Sequence, residues 1–247
     1  MTDMMISYGL WVTALVAIAL LLRAVGLIKI SYPWLVGSLV LFTIYVSAVV
    51  AGGSLFSLDP YFGELGWNWE GKVVSIGATV LAIIILSVFR KSVLPQTGFT
   101  LKQAPGSILP AVILTAILVA AVVGLEVLSA DGADTSTERL LYQATMPGLD
   151  EEPFYRGLFL YALSAALISG RMNMLGAPIG WAGVLVTIIF GLGHSLMYSE
   201  GAITMSWIAF IYTGILGFGF LWLRERTGSL VIPIVAHNLI NFSSSFF

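Results

Sequence analysis

Uninterrupted apolar runs decide what this chain can become. A hydrocarbon core of about 30 Å takes roughly 20 residues of helix to cross, and about eight runs of that order follow one another here. In lipid every backbone N–H and C=O must find its partner within the protein, so such runs have to be helices. The expected fold class is therefore all-α, a polytopic membrane helical bundle of about eight transmembrane helices. It would form a single integral membrane domain over residues 1–247. Only 10% of the chain is charged and 58% is hydrophobic, which leaves no stretch for a soluble domain of any size.

The runs extend from about Met5 to Ile28, Trp34 to Phe56, Val73 to Phe89, Ile108 to Leu128, Asp150 to Ile168, Trp181 to Tyr198, Ile203 to Leu223 and Leu230 to Phe247. The first lacks a basic leader and is too long for the apolar core of a signal peptide, so it is expected to stay as a span. Between the runs, Trp67 and Trp69 suit interfacial anchors, Arg90 to Gly106 reads as a basic surface loop, and Ser129 to Glu138 is polar. Arg171 to Pro178 reads as a turn, and Glu126 falls at an interface. Gly214, Gly217 and Gly219 would let neighbouring helices approach closely.

If all eight runs cross, Arg23, Lys29, Arg90, Lys91, Lys102, Arg171, Arg224 and Arg226 share one side, and Lys72 and Arg139 the other. The excess of positive charge on the cytoplasmic side then puts both termini outside. The expected location is the cell membrane, with the lipid bilayer as an obligatory partner. A formal net charge of −2 and the absence of a phosphate-cradling loop argue against nucleic acid as a partner. With no cysteine, any reactive site must be built from oxygen and nitrogen.

Ionisable side chains are costly in such a chain, and inside membranes they usually face a bundle interior or a watery cavity. Leu149-Asp-Glu-Glu-Pro-Phe-Tyr-Arg-Gly-Leu158 holds four of them. Asp150 suits a helix cap with Glu151, Glu152 and Pro153 in the first turn, which predicts a helix starting there. Glu152 and Arg156 are four apart and meet on one face, while Glu151 points about 100° away and is left free to take a proton. An acidic helix terminus at the membrane surface is the plainer reading of this stretch alone. His194 comes late in the sixth run with Phe190 one turn before it, and His237 lies inside the last run with Asn241 one turn after it. Singly, each histidine could be a structural hydrogen bond between helices. Together these groups are nearly all the strongly polar side chains of the last four runs.

Glu151-Glu152-Pro-Phe-Tyr-Arg156, Phe190-Gly-Leu-Gly-His194 and His237-Asn-Leu-Ile-Asn241 resemble, in order and approximate separation, the EExxxR, FxxxH and HxxxN motifs of the CPBP or Abi family of intramembrane proteases. That family includes the type II CAAX prenyl endopeptidases. The resemblance covers about 150–241, the expected catalytic core, and includes Arg226-Thr-Gly-Ser-Leu before the last run. It implies that Glu151 with His194 activates a water, that His237 and Asn241 donate to the oxyanion, that Glu152 and Arg156 hold the helix, and that Phe190 packs. It implies a lipidated or membrane-associated polypeptide as substrate, cut near its C-terminus. A metal-free mechanism is favoured, since a histidine with a donor asparagine one turn away suits an oxyanion site better than a ligand set. Zinc held by Glu151, His194 and His237 is the alternative. Two other readings stay open: the same chemistry in peptide processing or self-immunity, and a non-catalytic scaffold or transporter. One conflict also stays open. A CAAX-type peptidase is expected to open to the cytosol, whereas charge counting turns the start of the motif helix outward.

Overall fold

The computed structural model describes residues 2–129 and 132–247, so Ala130 and Asp131 of the polar stretch lie outside the described residues. The helices are α1 (Thr2–Ala24), α2 (Tyr32–Leu55), α3 (Asp59–Phe62), α4 (Trp69–Phe89), α5 (Val93–Thr97), α6 (Ile108–Ser129), α7 (Thr137–Glu151), α8 (Leu160–Ala166), α9 (Trp181–Gly193), α10 (Trp207–Thr227) and α11 (Val231–Ser244). A π-helical segment, Glu152–Phe159, joins α7 to α8 without a break. Six short strands complete the described chain: β1 (Lys29–Ile30), β2 (Leu167–Ile168), β3 (Arg171–Met174), β4 (Ala177–Gly180), β5 (Leu196–Ser199) and β6 (Ala202–Met205). They pair antiparallel as β1 with β2, β3 with β4 and β5 with β6. The fold is an all-α membrane bundle, with these ribbons as trim at its ends.

Five helices are long and apolar enough to cross a membrane: Asp3–Ala24, Tyr32–Leu55, Trp69–Phe89, Ile108–Ser129 and Trp207–Thr227. The sixth and eighth apolar runs instead give shorter helices, α9 with 13 residues and α11 with 14. The expected count of eight spans therefore does not follow from helix length. The reason is local. Leu196–Ser199 and Ala202–Met205 are apolar enough to read as helix, yet they turn through Glu200 and Gly201, both at positive φ, into a hairpin. The stretch from Arg171 likewise folds as a hairpin, with Met174 paired to Ala177.

The exterior is apolar and the interior holds the polar groups. Val40 and Ile44 of α2, Ile84 and Ile85 of α4, Ile113 and Ile117 of α6, and Ile211 and Ile215 of α10 are all about half exposed. In water an apolar face of that extent would aggregate, whereas against acyl chains it is the ordinary surface. The central element is the π-helical segment, every residue of which is buried. Phe154 stacks on Tyr45 at 3.8 Å, and Phe159 stacks on Phe42 at 5.2 Å, clamping the segment to α2.

Two close crossings set the spacing around it. A Cβ on Gly52 would stand 2.5 Å from the Gly71 Cα, so α2 and α4 meet backbone to backbone. On α10, a Cβ on Gly217 would meet Phe190 at 2.9 Å and the Arg156 guanidinium at 3.0 Å, and one on Gly219 would meet Leu118 at 2.8 Å. Two of the three glycines expected to serve close packing do so; Gly214 has open space. At one end of the bundle, Arg171 pairs with Glu225 at 2.8 Å, Arg224 donates to the Gln96 carbonyl and Arg226 to the Gly106 carbonyl. These contacts tie the hairpin, the Arg90–Gly106 loop and the end of α10 together.

Candidate active site

Asp150, Glu151 and Glu152 do not open a helix. They lie in the middle of a continuous one that begins at Thr137, and Asp150 is fully buried. The sequence pattern of a helix start, acid-acid-acid-proline, occurs here inside the helix because the chain widens into a π turn at Pro153. Proline has no amide hydrogen to donate, and here the helix runs on through it as a π segment rather than stopping. Asp150 therefore does not cap. Its carboxylate accepts from the Tyr45 hydroxyl at 2.8 Å, the Lys72 ammonium at 2.8 Å and the Ser75 hydroxyl at 2.5 Å.

Glu151 has a partner too, contrary to the expectation that it is free. Lys72 Nζ donates to its Oε1 at 2.7 Å. The cation comes from the first turn of α4, 79 residues earlier in the chain. Glu151 Oε2 is buried, accepts no hydrogen bond among the described residues, and faces His237 Nε2 at 4.0 Å.

Glu152 and Arg156 pair as the spacing predicts, at 3.0 Å and with both side chains fully buried. The same Glu152 Oε1 accepts from His237 Nδ1 at 2.8 Å. Arg156 donates its other arm to the Gly217 carbonyl at 3.0 Å, and its guanidinium lies over the Phe190 ring at 4.2 Å. A guanidinium spreads its charge over a plane, so it can stack on an aromatic ring and still donate in two directions.

The histidines are oriented by what holds Nδ1. A carboxylate only accepts, so His237 Nδ1 carries a proton and its Nε2 is turned to Glu151. His237 also stacks flat on Phe220 at 4.6 Å. His194 is not inside a helix, as expected, but caps the C-terminus of α9, which stops at Gly193. Its Nδ1 donates to the Phe190 carbonyl at 2.8 Å, which leaves Nε2 as the nitrogen able to accept a proton. The Phe190 ring touches His194 at 4.6 Å and lies 6.4 Å from His237, so it packs between them.

Glu151, Glu152, Arg156, Phe190, His194 and His237 thus converge. Asn241 is joined to them by no side-chain hydrogen bond among the described residues; its backbone carbonyl accepts from Ser244 and Ser245. Its neighbour Asn238 instead accepts from the Gly148 amide at 2.7 Å, tying α11 to α7. No group of three or more His, Asp or Glu side chains among the described residues is arranged to hold a metal ion.

Sequence reasoning missed Lys72, Ser75 and Tyr45 as neighbours of the acidic stretch, and Phe220 beneath His237. One signal was available. Lys72, Ser75 and Thr79 are spaced three and four apart and are all buried, a polar stripe on an otherwise apolar helix.

A family model described as type II CAAX prenyl endopeptidase Rce1-like matches residues 134–243, which run from just before α7 almost to the end of α11. Every motif residue falls within that match, and α1 to α6 fall outside it. No curated protein and no solved structure gives a significant match. The matched segment, which carries the glutamates, the arginine and both histidines of the buried cluster, is thus similar to the type II CAAX prenyl endopeptidase Rce1-like family.

Proposed function

We propose that the protein is an intramembrane endopeptidase that hydrolyses a peptide bond near the C-terminus of a prenylated or otherwise membrane-associated polypeptide. The observation that carries this reading is the buried Oε2 of Glu151, which has no hydrogen bond among the described residues and is set 4.0 Å from His237 Nε2, with Phe190 packing against both histidines. A carboxylate oxygen with no protein donor on it is suited to hold a water and take its proton. In this reading Glu151, with His194 Nε2 as a second acceptor, removes a proton as the water oxygen attacks the scissile carbonyl. The proton passes on to the departing amine as the C–N bond breaks. His237 donates through Nε2 to the carbonyl oxygen as it becomes negative, and Asn241 supplies a second donor from one turn further along α11. Since Nδ1 already donates to Glu152, a donor at Nε2 is the imidazolium form of His237. Glu152 and Arg156 hold that arrangement. No step runs through a metal ion.

The test uses the purified full chain and a farnesylated peptide ending in a CAAX sequence. Glu151→Gln and His194→Ala are expected to lower cleavage by at least about 100-fold, the scale of a general acid or base contribution. Both variants should still insert and fold, and His194→Ala should melt like the parent. Retained cleavage in either variant would overturn the assignment of roles. Cleavage of the same peptide without its prenyl group would move the reading to the processing of unmodified membrane peptides.

A further inference from the structure

Among the described residues, Lys72 is the cation of the site that neither the motifs nor the family match accounts for, since it lies on α4, outside residues 134–243. Its ammonium is buried and bridges two carboxylates, Asp150 Oδ2 at 2.8 Å and Glu151 Oε1 at 2.7 Å. Charge compensation of Asp150 alone would need only the first contact. Asp150 is in any case well satisfied, with Tyr45 and Ser75 as further donors. The second contact does something else. It occupies one oxygen of Glu151 and leaves the other turned to His237.

The lysine is held firmly enough to act as a fixed point. Asn68 caps α4 by accepting from the Gly71 amide at 3.0 Å, and it donates to the Val49 carbonyl of α2 at 2.9 Å. The Gly52–Gly71 crossing locks this turn against α2, and Lys72 is the next residue. On its other side, Asp150 takes the ammonium from a helix that Tyr45 clamps by stacking on Phe154. A glutamate has several rotatable bonds, and a base works only when its oxygen stays within reach of the water it deprotonates. A strongly bound ammonium on Oε1 removes that freedom.

We infer that Lys72 is a positioning residue: anchored by Asp150, it fixes the Glu151 carboxylate so that Oε2 is the oxygen presented to the reacting water. This deepens the proposed function and rests on Glu151 being the base. Among Lys72, Arg156, Asp150, Glu151 and Glu152 there are two cations and three carboxylates, a surplus of one negative charge beside His237. Lys72 thus steadies Glu151 while the cluster keeps a net negative charge.

The test compares Lys72→Met, Lys72→Arg, Asp150→Asn and the double variant Lys72→Met/Asp150→Asn in the full chain, with the farnesylated peptide as substrate. Lys72→Met is expected to lower kcat by about 100-fold, the scale of a roughly 1 Å misplacement, with KM changed less than about threefold. Lys72→Arg should recover part of kcat. The double variant removes the buried charge that Lys72 would otherwise leave unpaired, so it should regain thermal stability but not kcat. Wild-type kcat in Lys72→Met, or its return in the double variant, would overturn the inference and reduce Lys72 to a counter-ion. A second measurement does not depend on turnover. The Tm losses of Lys72→Met and Glu151→Gln should be non-additive, the double loss being smaller than the sum, whereas additive losses would also overturn it. Non-additive melting in a protein that cleaves no prenylated peptide would instead retain the Lys72–Glu151 coupling and refute the proposed function.

Discussion

At the scale of single residues, the buried Arg156 is the most demanding group in the bundle. It is fully enclosed, and its partners are a carboxylate, a backbone carbonyl and aromatic faces. Removing one member of a buried ion pair strands the other, and such losses run to about 3–5 kcal/mol. Arg156→Ala is therefore expected to unfold the protein at markedly lower temperature, as read by thermal melting in detergent. Arg156→Lys should keep the contact to Glu152 but lose the Gly217 contact, and fall between the two. Of this cluster, the Glu152–Arg156 pair was legible in the sequence, because two residues four apart on a helix must meet. The pairing of Glu151 was not, because its partner Lys72 comes from another helix and only packing brings it there.

At the scale of elements, two joints deserve a measurement. The first is the α9–α10 contact with the motif helix, where Gly217 leaves room for Phe190 and Arg156. Gly217→Val would force its branched side chain into both, and overpacking of that kind costs about 1–3 kcal/mol. Loss of activity should accompany the drop in Tm, since Phe190 packs between the two histidines. The second joint is the start of α7, outside the apolar spans, where Glu138 accepts from the amides of Gly66 and Trp67 and from the Trp69 indole. The Gly66 amide, first among these donors, holds the carboxyl below its usual value. A lowered folded-state pKa means that the contribution is present above the ordinary glutamate value of about 4.3 and is lost as pH falls through the folded value. Acidification below that point should release the 63–69 loop, seen as a change in tryptophan emission that Glu138→Gln no longer shows. The misreading of the helix start belongs to this scale as well. Asp-Glu-Glu-Pro signals a terminus when water can reach it, and here each of those acids has a protein partner instead.

At the scale of the whole molecule, the outward-facing apolar surface is a claim about solvent. Ile44, at the middle of α2 and about half exposed, should face acyl chains. Ile44→Arg is expected to disfavour insertion by about 2.5–3.5 kcal/mol. A membrane-insertion assay of α2 would read this directly, and an unchanged inserted fraction would place that face against protein. The sequence by itself determined that the chain is a helical membrane bundle, because runs of this length and apolarity allow nothing else in lipid. It also marked the acidic stretch and the two histidines, because charge and imidazole are conspicuous among leucines. Only the tertiary structure decided that the motif helix runs unbroken from Thr137 through a π turn, that α9 stops at His194, and that α2 and α4 reach the acids with Tyr45, Lys72 and Ser75. The physical reason is range. Periodicity and spacing report contacts within about one helical turn, while the partner of a buried charge is chosen by which helices can approach it, and here two glycines 19 residues apart in sequence make that approach possible.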